Sequence, residues 1–144
     1  MPRKIVKKWE PHKSVDRPSS YEASVWYKDQ TNTLVRETDN VAIYKDKYPA
    51  CDGHLLFIPK RHVEDYFGLY QPELNSFNKL LVKHKESLMS RDKNVTGFNV
   101  GMNNGEDAGQ TIYHCHIHLI PRRKGDIENP RGGIRGVIPE KKEY

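Results

Sequence analysis

Cysteine is scarce: Cys51 and Cys115 are the only two among 144 residues. Two cysteines make neither a disulfide framework nor a four-cysteine zinc site. A soluble protein of a reducing compartment, cytoplasmic by default, is the expectation. No apolar run approaches the ~20 residues that a membrane helix requires, so no membrane partner is expected. The opening MPRKIVKKWE is charged and lacks an apolar stretch, which argues against a secretion signal. Apolar side chains are 35% and charged ones 30%, a hydrophilic balance that still permits a packed core. The length suits one domain, which should bury roughly two-thirds of its unfolded surface.

The net charge of +5 sits at the ends. Residues 1–20 carry +4 and residues 121–144 carry +3, leaving the body at −2. No basic stripe with interleaved aromatics crosses the body, which argues against nucleic acid as a partner. Residues 1–25 read as a basic N-terminal tail or extension, disordered or draped on the body, with Pro2, Pro11 and Pro18 and no periodicity over its first twenty. Residues 26–126 form the domain, and residues 127–144 a Gly/Arg-rich tail. Composition makes that last segment flexible. The alternative is that Gly132, Gly133 and Gly136 let it fold over a site, with Arg131 or Arg135 pairing with distal phosphates.

Within the body, residues 34–44 read as two short strands around a Thr-Asp-Asn turn. Residues 54–58 read as a buried strand closed by Pro59. A helix is expected from Pro72 to about Met89, with Leu74, Phe77, Leu81 and Leu88 at helical spacing and Leu80 and Val82 widening the stripe. Residues 96–100 and 111–121 read as two more strands, separated by a Gly/Asn/Asp loop. The pattern is α+β, built on a mainly antiparallel sheet.

Chemistry concentrates in His114-Cys115-His116-Ile117-His118. On a strand, alternate residues share a face, which would align the three histidines and turn Cys115 and Ile117 to the core. Packing alone does not account for three histidines at period two, because each costs desolvation unless hydrogen-bonded. Two readings follow. One is a metal site completed by His54 or His62; the other is nucleophilic catalysis by imidazole. The preceding loop, from Asn103 to Thr111, tips the balance to the second. Its glycines admit an anion to backbone N–H groups, and Gln110 and Thr111 add side-chain donors.

Gly109-Gln110-Thr111-Ile112-Tyr113-His114-Cys115-His116-Ile117-His118-Leu119-Ile120 resembles the signature of the histidine triad (HIT) family. Residues 53–62 resemble that family's second strand. The resemblance covers about 34–126. It implies a five-stranded mainly antiparallel sheet with one long helix, and a homodimer that joins two sheets. It also implies nucleotidyl transfer or hydrolysis at an α-phosphate. By motif position His116 resembles the nucleophile, His118 a phosphate-oxygen partner, and His114 the histidine that organises the site. His54 resembles the upstream histidine of the cluster. Asn103, Gln110 and Thr111 fall at phosphate or leaving-group positions, and Asp46 at the ribose position. Leu34, Ile43 and Phe57 are candidates for the base pocket by strand position. No bound metal or other cofactor is implied, although a divalent cation can arrive with the substrate. Residues 121–126, PRRKGD, resemble the dinucleoside-polyphosphate hydrolase (Fhit-like) branch. The alternatives are the phosphoramidase (Hint-like) branch, whose Trp-Pro-Pro ending is absent, and a nucleotide-binding module with little turnover.

Overall fold

The computed structural model describes residues 15–144; the part of the expected N-terminal tail at residues 1–14 lies outside them. Five strands form one antiparallel sheet: β1 Leu34–Glu37, β2 Val41–Lys45, β3 Leu55–Pro59, β4 Val95–Gly101 and β5 Ile117–Arg123. Their order is β1-β2-β3-β5-β4. A short helix α1, Val25–Lys28, precedes the sheet, and the long helix α2, Gln71–Arg91, connects β3 to β4. The α+β architecture expected from the sequence is the one found.

Both faces of the central strands are covered, so β2 is apolar and buried from Val41 to Tyr44 and β3 throughout. On one face Val41, Ile43, Leu55, Phe57, Ile117 and Leu119 pack with Phe77, Leu80 and Leu88 of α2. Phe57 is fully buried there, and truncation to Ala would cost about 3–5 kcal/mol. The α2 stripe differs from expectation at two places. Val82 is about half exposed, and His84 occupies a buried position instead. The ring of His84 stands edge-on to Phe57, and its Nε2 has no hydrogen-bond partner among the described residues. The helix start is pinned by Glu73, which accepts from the Tyr70 N–H at 2.8 Å and from Arg61 Nη2 at 2.7 Å.

The opposite face carries Ala42, Tyr44, Leu56 and Ile58, covered by Tyr21, Trp26 and Ile112. From residue 16 the chain is therefore folded onto the body rather than disordered. Asp16 N–H donates to the Thr111 carbonyl, and Tyr113 N–H to the Asp16 carbonyl, each at 2.8 Å. Tyr21 and Tyr44 share a buried hydroxyl pair at 2.6 Å. Between β2 and β3, Gly53 has φ +91° and lies so close to Leu88 and Pro121 that a Cβ would sit 3.2 Å from each. Both strain and space require glycine at that turn.

The C-terminal segment is also ordered, which corrects the flexible-tail reading. Residues 133–137 and 139–141 form two 3-10 turns, the first against β4. Gly132 at φ +90° lies against the Lys142 carbonyl, where a Cβ would overlap the oxygen.

Candidate active site

The ladder between β3 and β5 determines which side chains can meet. Leu56 pairs with His118, while Phe57 pairs with Ile117. His118 and Leu56 therefore share the face covered by the N-terminal segment, and Phe57 belongs to the face under α2. This corrects the base-pocket reading from strand position: Ile43 and Phe57 are fully buried beneath α2, and Leu34 is an exposed residue of β1.

The second strong strand is shorter than expected, beginning at Ile117, so His114 and His116 lie in the approach to it. His116 and His118 line one cavity of about 200 Å³ together with Trp26, Leu56, Ile112 and Asp46. The Trp26 ring lies 5.1 Å from the His116 ring. His114 is fully buried and lines no part of this cavity. Tyr21 and Trp26 pack beside it, with ring centroids 6.5 and 6.0 Å away.

Hydrogen bonds define the proton on each imidazole. Carbonyl oxygens only accept, so His114 Nε2–H donates to the Pro59 carbonyl at 2.7 Å. His114 Nδ1 is then an acceptor and receives the His62 Nδ1–H at 3.0 Å. His116 Nδ1–H donates to the His114 carbonyl at 2.9 Å, which leaves Nε2 of His116 with its lone pair free. Ala50 N–H donates to His54 Nδ1 at 3.0 Å. His54 Nε2–H consequently donates to His118 Nδ1 at 2.8 Å, and the proton of neutral His118 is on Nε2. The site thus holds one bare nitrogen, on His116, beside one N–H donor, on His118, with the two rings 5.6 Å apart.

All four imidazoles are held in the neutral form. Burial lowers the pKa of His54, with the nearby Asp46 carboxylate opposing. Burial likewise lowers His114, against its bond to Pro59, and His116, against its bond to His114. His118 is pushed down to about 4 by burial, then by His116 and His54, with Asp46 opposing. Cys115 points into the core under α2, as expected, and burial pushes its thiol up to about 12.

The remaining expected residues separate into two groups. Asp46 belongs to the site: Oδ2 is 3.3 Å from His54 Nε2 and 3.8 Å from His118 Nδ1, and Oδ1 accepts from Tyr48 N–H at 2.9 Å. Asn103 and Thr111 are exposed on the preceding loop and line no part of this cavity. Gln110 is buried, and its amide is spent on the loop. Its nitrogen donates to the Glu64 and Ile112 carbonyls, and its oxygen accepts from Gly105 N–H. Arg131 and Arg135 lie away from the cavity, each guanidinium 5.0 Å from the Tyr144 ring. Trp26, Leu56 and Ile112 were missed in the sequence. A tryptophan just after a polar tail was the available signal for the first. His62 is a hydrogen-bond partner of His114. Among the described residues one group could hold a cation: Asp46, His54 and His118 bring their ligand atoms within 4.8 Å of one another.

The HIT domain model matches residues 27–125, and the chain belongs to the HIT domain family. A HIT-like protein of Methanocaldococcus jannaschii is 38% identical over 95 residues, covering 66% of this chain and 72% of that one. Among solved structures, a hypothetical histidine triad nucleotide-binding protein of Sulfolobus tokodaii superposes with TM-score 0.64 at 32% identity, over 74% of this chain and 70% of that one. A zinc-bound histidine triad family protein of Mycobacterium smegmatis has TM-score 0.60 at 29% identity, over 65% and 67%. Among the described residues no helix is long and apolar enough to cross a membrane.

Proposed function

We propose that the protein hydrolyses nucleotides at the α-phosphate through a nucleotidyl-histidine intermediate on His116, and that its substrates are dinucleoside polyphosphates. The observation that carries the reading is the 2.9 Å bond from His116 Nδ1–H to the His114 carbonyl. It aims the unprotonated Nε2, the only good nucleophile of the cavity, and keeps it available at neutral pH. In the first step Nε2 forms a bond to phosphorus and the bond to the leaving group breaks, its electron pair going with the leaving group, which solvent protonates. In the second, water attacks phosphorus and gives up a proton to solvent, the N–P bond breaks, and the pair returns to Nε2. His118 Nε2–H stabilises the charge on the phosphoryl oxygens in both steps. His54 keeps His118 oriented as donor, and His114 acts by holding His116.

In this reading Trp26, Leu56 and Ile112 take the base, since aromatic and apolar walls suit a flat ring. Asp46 Oδ2 serves the ribose hydroxyls. The resemblance of residues 121–126 to the dinucleoside-polyphosphate branch supports the substrate class. No resident metal is required, because His54 Nε2–H already occupies His118 Nδ1. The protein is expected to act as a homodimer.

The test is incubation with diadenosine triphosphate, diadenosine tetraphosphate and adenosine 5′-phosphoramidate, with AMP followed by chromatography. Faster release from the dinucleotides supports the reading. Release only from the phosphoramidate moves the protein to the other branch, and none from any of them leaves a binding module.

A further inference from the structure

The cavity beside His116 measures about 200 Å³, below the roughly 300–1,000 Å³ of pockets that enclose a whole drug-sized ligand. It has room for one nucleoside end of a dinucleotide and not for the other. A second cavity, of about 420 Å³, opens on the same face of the sheet. Along β5, His118 and Ile120 point to that face, about 7 Å apart by strand geometry. Ile120 lines the second cavity as His118 lines the first. Ala50, also in its wall, is the residue whose N–H orients His54. The histidine cluster therefore stands between the two cavities.

The outer wall is the C-terminal segment, which contributes Ile134 and Val137, with Ile127 beside them. These side chains stay largely exposed although the segment is folded: Ile134 is 57% and Val137 76% accessible. Two cations line this cavity, and of these Lys142 donates through Nζ to the Asn129 carbonyl. Arg122 is bound to Asp126 through Nε and Nη2 and to Asn99 through Nη1, all at 2.8 Å. What remains open is an apolar slot of the size of a heteroaromatic ring system, not an anion site. Arg131 and Arg135, stacked on Tyr144, do not line it.

We infer that this slot is a subsite for the second nucleoside, the one that departs, with Ile120, Ile134 and Val137 packing against its base. The inference rests on the reaction proposed above and assigns the C-terminal segment a part in substrate selection. A substrate would lie along β5, one base on Trp26, the α-phosphate at His116 and the leaving nucleoside beyond His118.

The measurement is the ratio of kcat/KM for diadenosine tetraphosphate to that for adenosine 5′-phosphoramidate, in the full chain and in Ile134→Asp and Val137→Asp. Both positions are exposed, so the fold should tolerate the change, and circular dichroism checks it. A charge at the slot should lower the ratio about tenfold or more. A ratio unchanged within twofold overturns the subsite while leaving the proposed reaction standing. A change of oligomeric state with equal loss on both substrates also overturns it, by assigning the slot to a second copy of the chain. If the unaltered protein turns over neither substrate, the proposed reaction fails, and the subsite with it.

Discussion

Replacing His54 by Phe keeps a planar aromatic ring, somewhat larger than imidazole, and removes both hydrogen bonds. The Ala50 N–H and His118 Nδ1 lose their partners. An unsatisfied buried group costs about 1–3 kcal/mol. Ala50 is exposed and the His118 ring is 24% exposed, so water can reach both and the total should be about 1–2 kcal/mol. The kinetic consequence is more specific. His54 is one of the groups that hold His118 down at about 4, whereas Asp46 pulls the other way. Without His54 the pKa of His118 should rise only in part, since burial and His116 still hold it down, and Nδ1 is no longer obliged to accept. Protonation at mildly acidic pH and loss of the single orientation should lower kcat/KM by about tenfold to a hundredfold, short of the full loss of an oxyanion donor. Urea denaturation at pH 8 gives the stability, and the pH profile of AMP release gives the titration. Unchanged stability together with an acid limb that does not move would refute the relay from Ala50 through His54 to His118.

Stability should fall on acidification in a defined window. His54, His84, His114, His116 and His118 all have lowered pKa values. Between about 4 and 6.5 the unfolded chain therefore binds more protons than the native one, and stability is lost as pH falls through that range. His118 alone contributes up to about 3 kcal/mol by pH 4. Denaturation midpoints at pH 7.5 and 5 check this, and equal midpoints would contradict it. For metal, protein purified in metal-free buffer should contain no stoichiometric zinc and keep its turnover in chelator. Zinc at one per chain, with activity lost on chelation and restored by zinc alone, would instead assign Asp46, His54 and His118 to a cation.

Periodicity made the core strands and α2 legible, because alternation and helical spacing report burial directly. Val82 and His84 were misjudged because hydropathy ranks valine inside and histidine outside, whereas the angular position on α2 decided. The triad was visible as a motif, but not its division of labour. His114 follows the expected spacing and yet is sealed by Tyr21, near the end of the segment read as tail, and by Trp26, the first residue of the expected domain. A short polar stretch with three large aromatics, Tyr21, Trp26 and Tyr27, is better read as a strap than as a tail. The base-pocket error was one of parity. Leu56 and Phe57 are adjacent in sequence, and only the pairing of Leu56 with His118 reveals which one faces the site. The role of Gln110 depends on distant carbonyls, above all that of Glu64, which no local pattern announces.

The central claim is that His116 carries the covalent bond. Rapid mixing of the full chain with a diadenosine polyphosphate, quench in alkaline denaturant because the N–P bond is acid-labile, and peptide mass spectrometry without acid tests it most directly. The expected result is a single nucleotidyl adduct on His116, absent from His116→Asn, which should still bind nucleotide while its turnover falls by several orders of magnitude. An adduct on His114 or His118, or near-normal turnover in His116→Asn, would contradict the account.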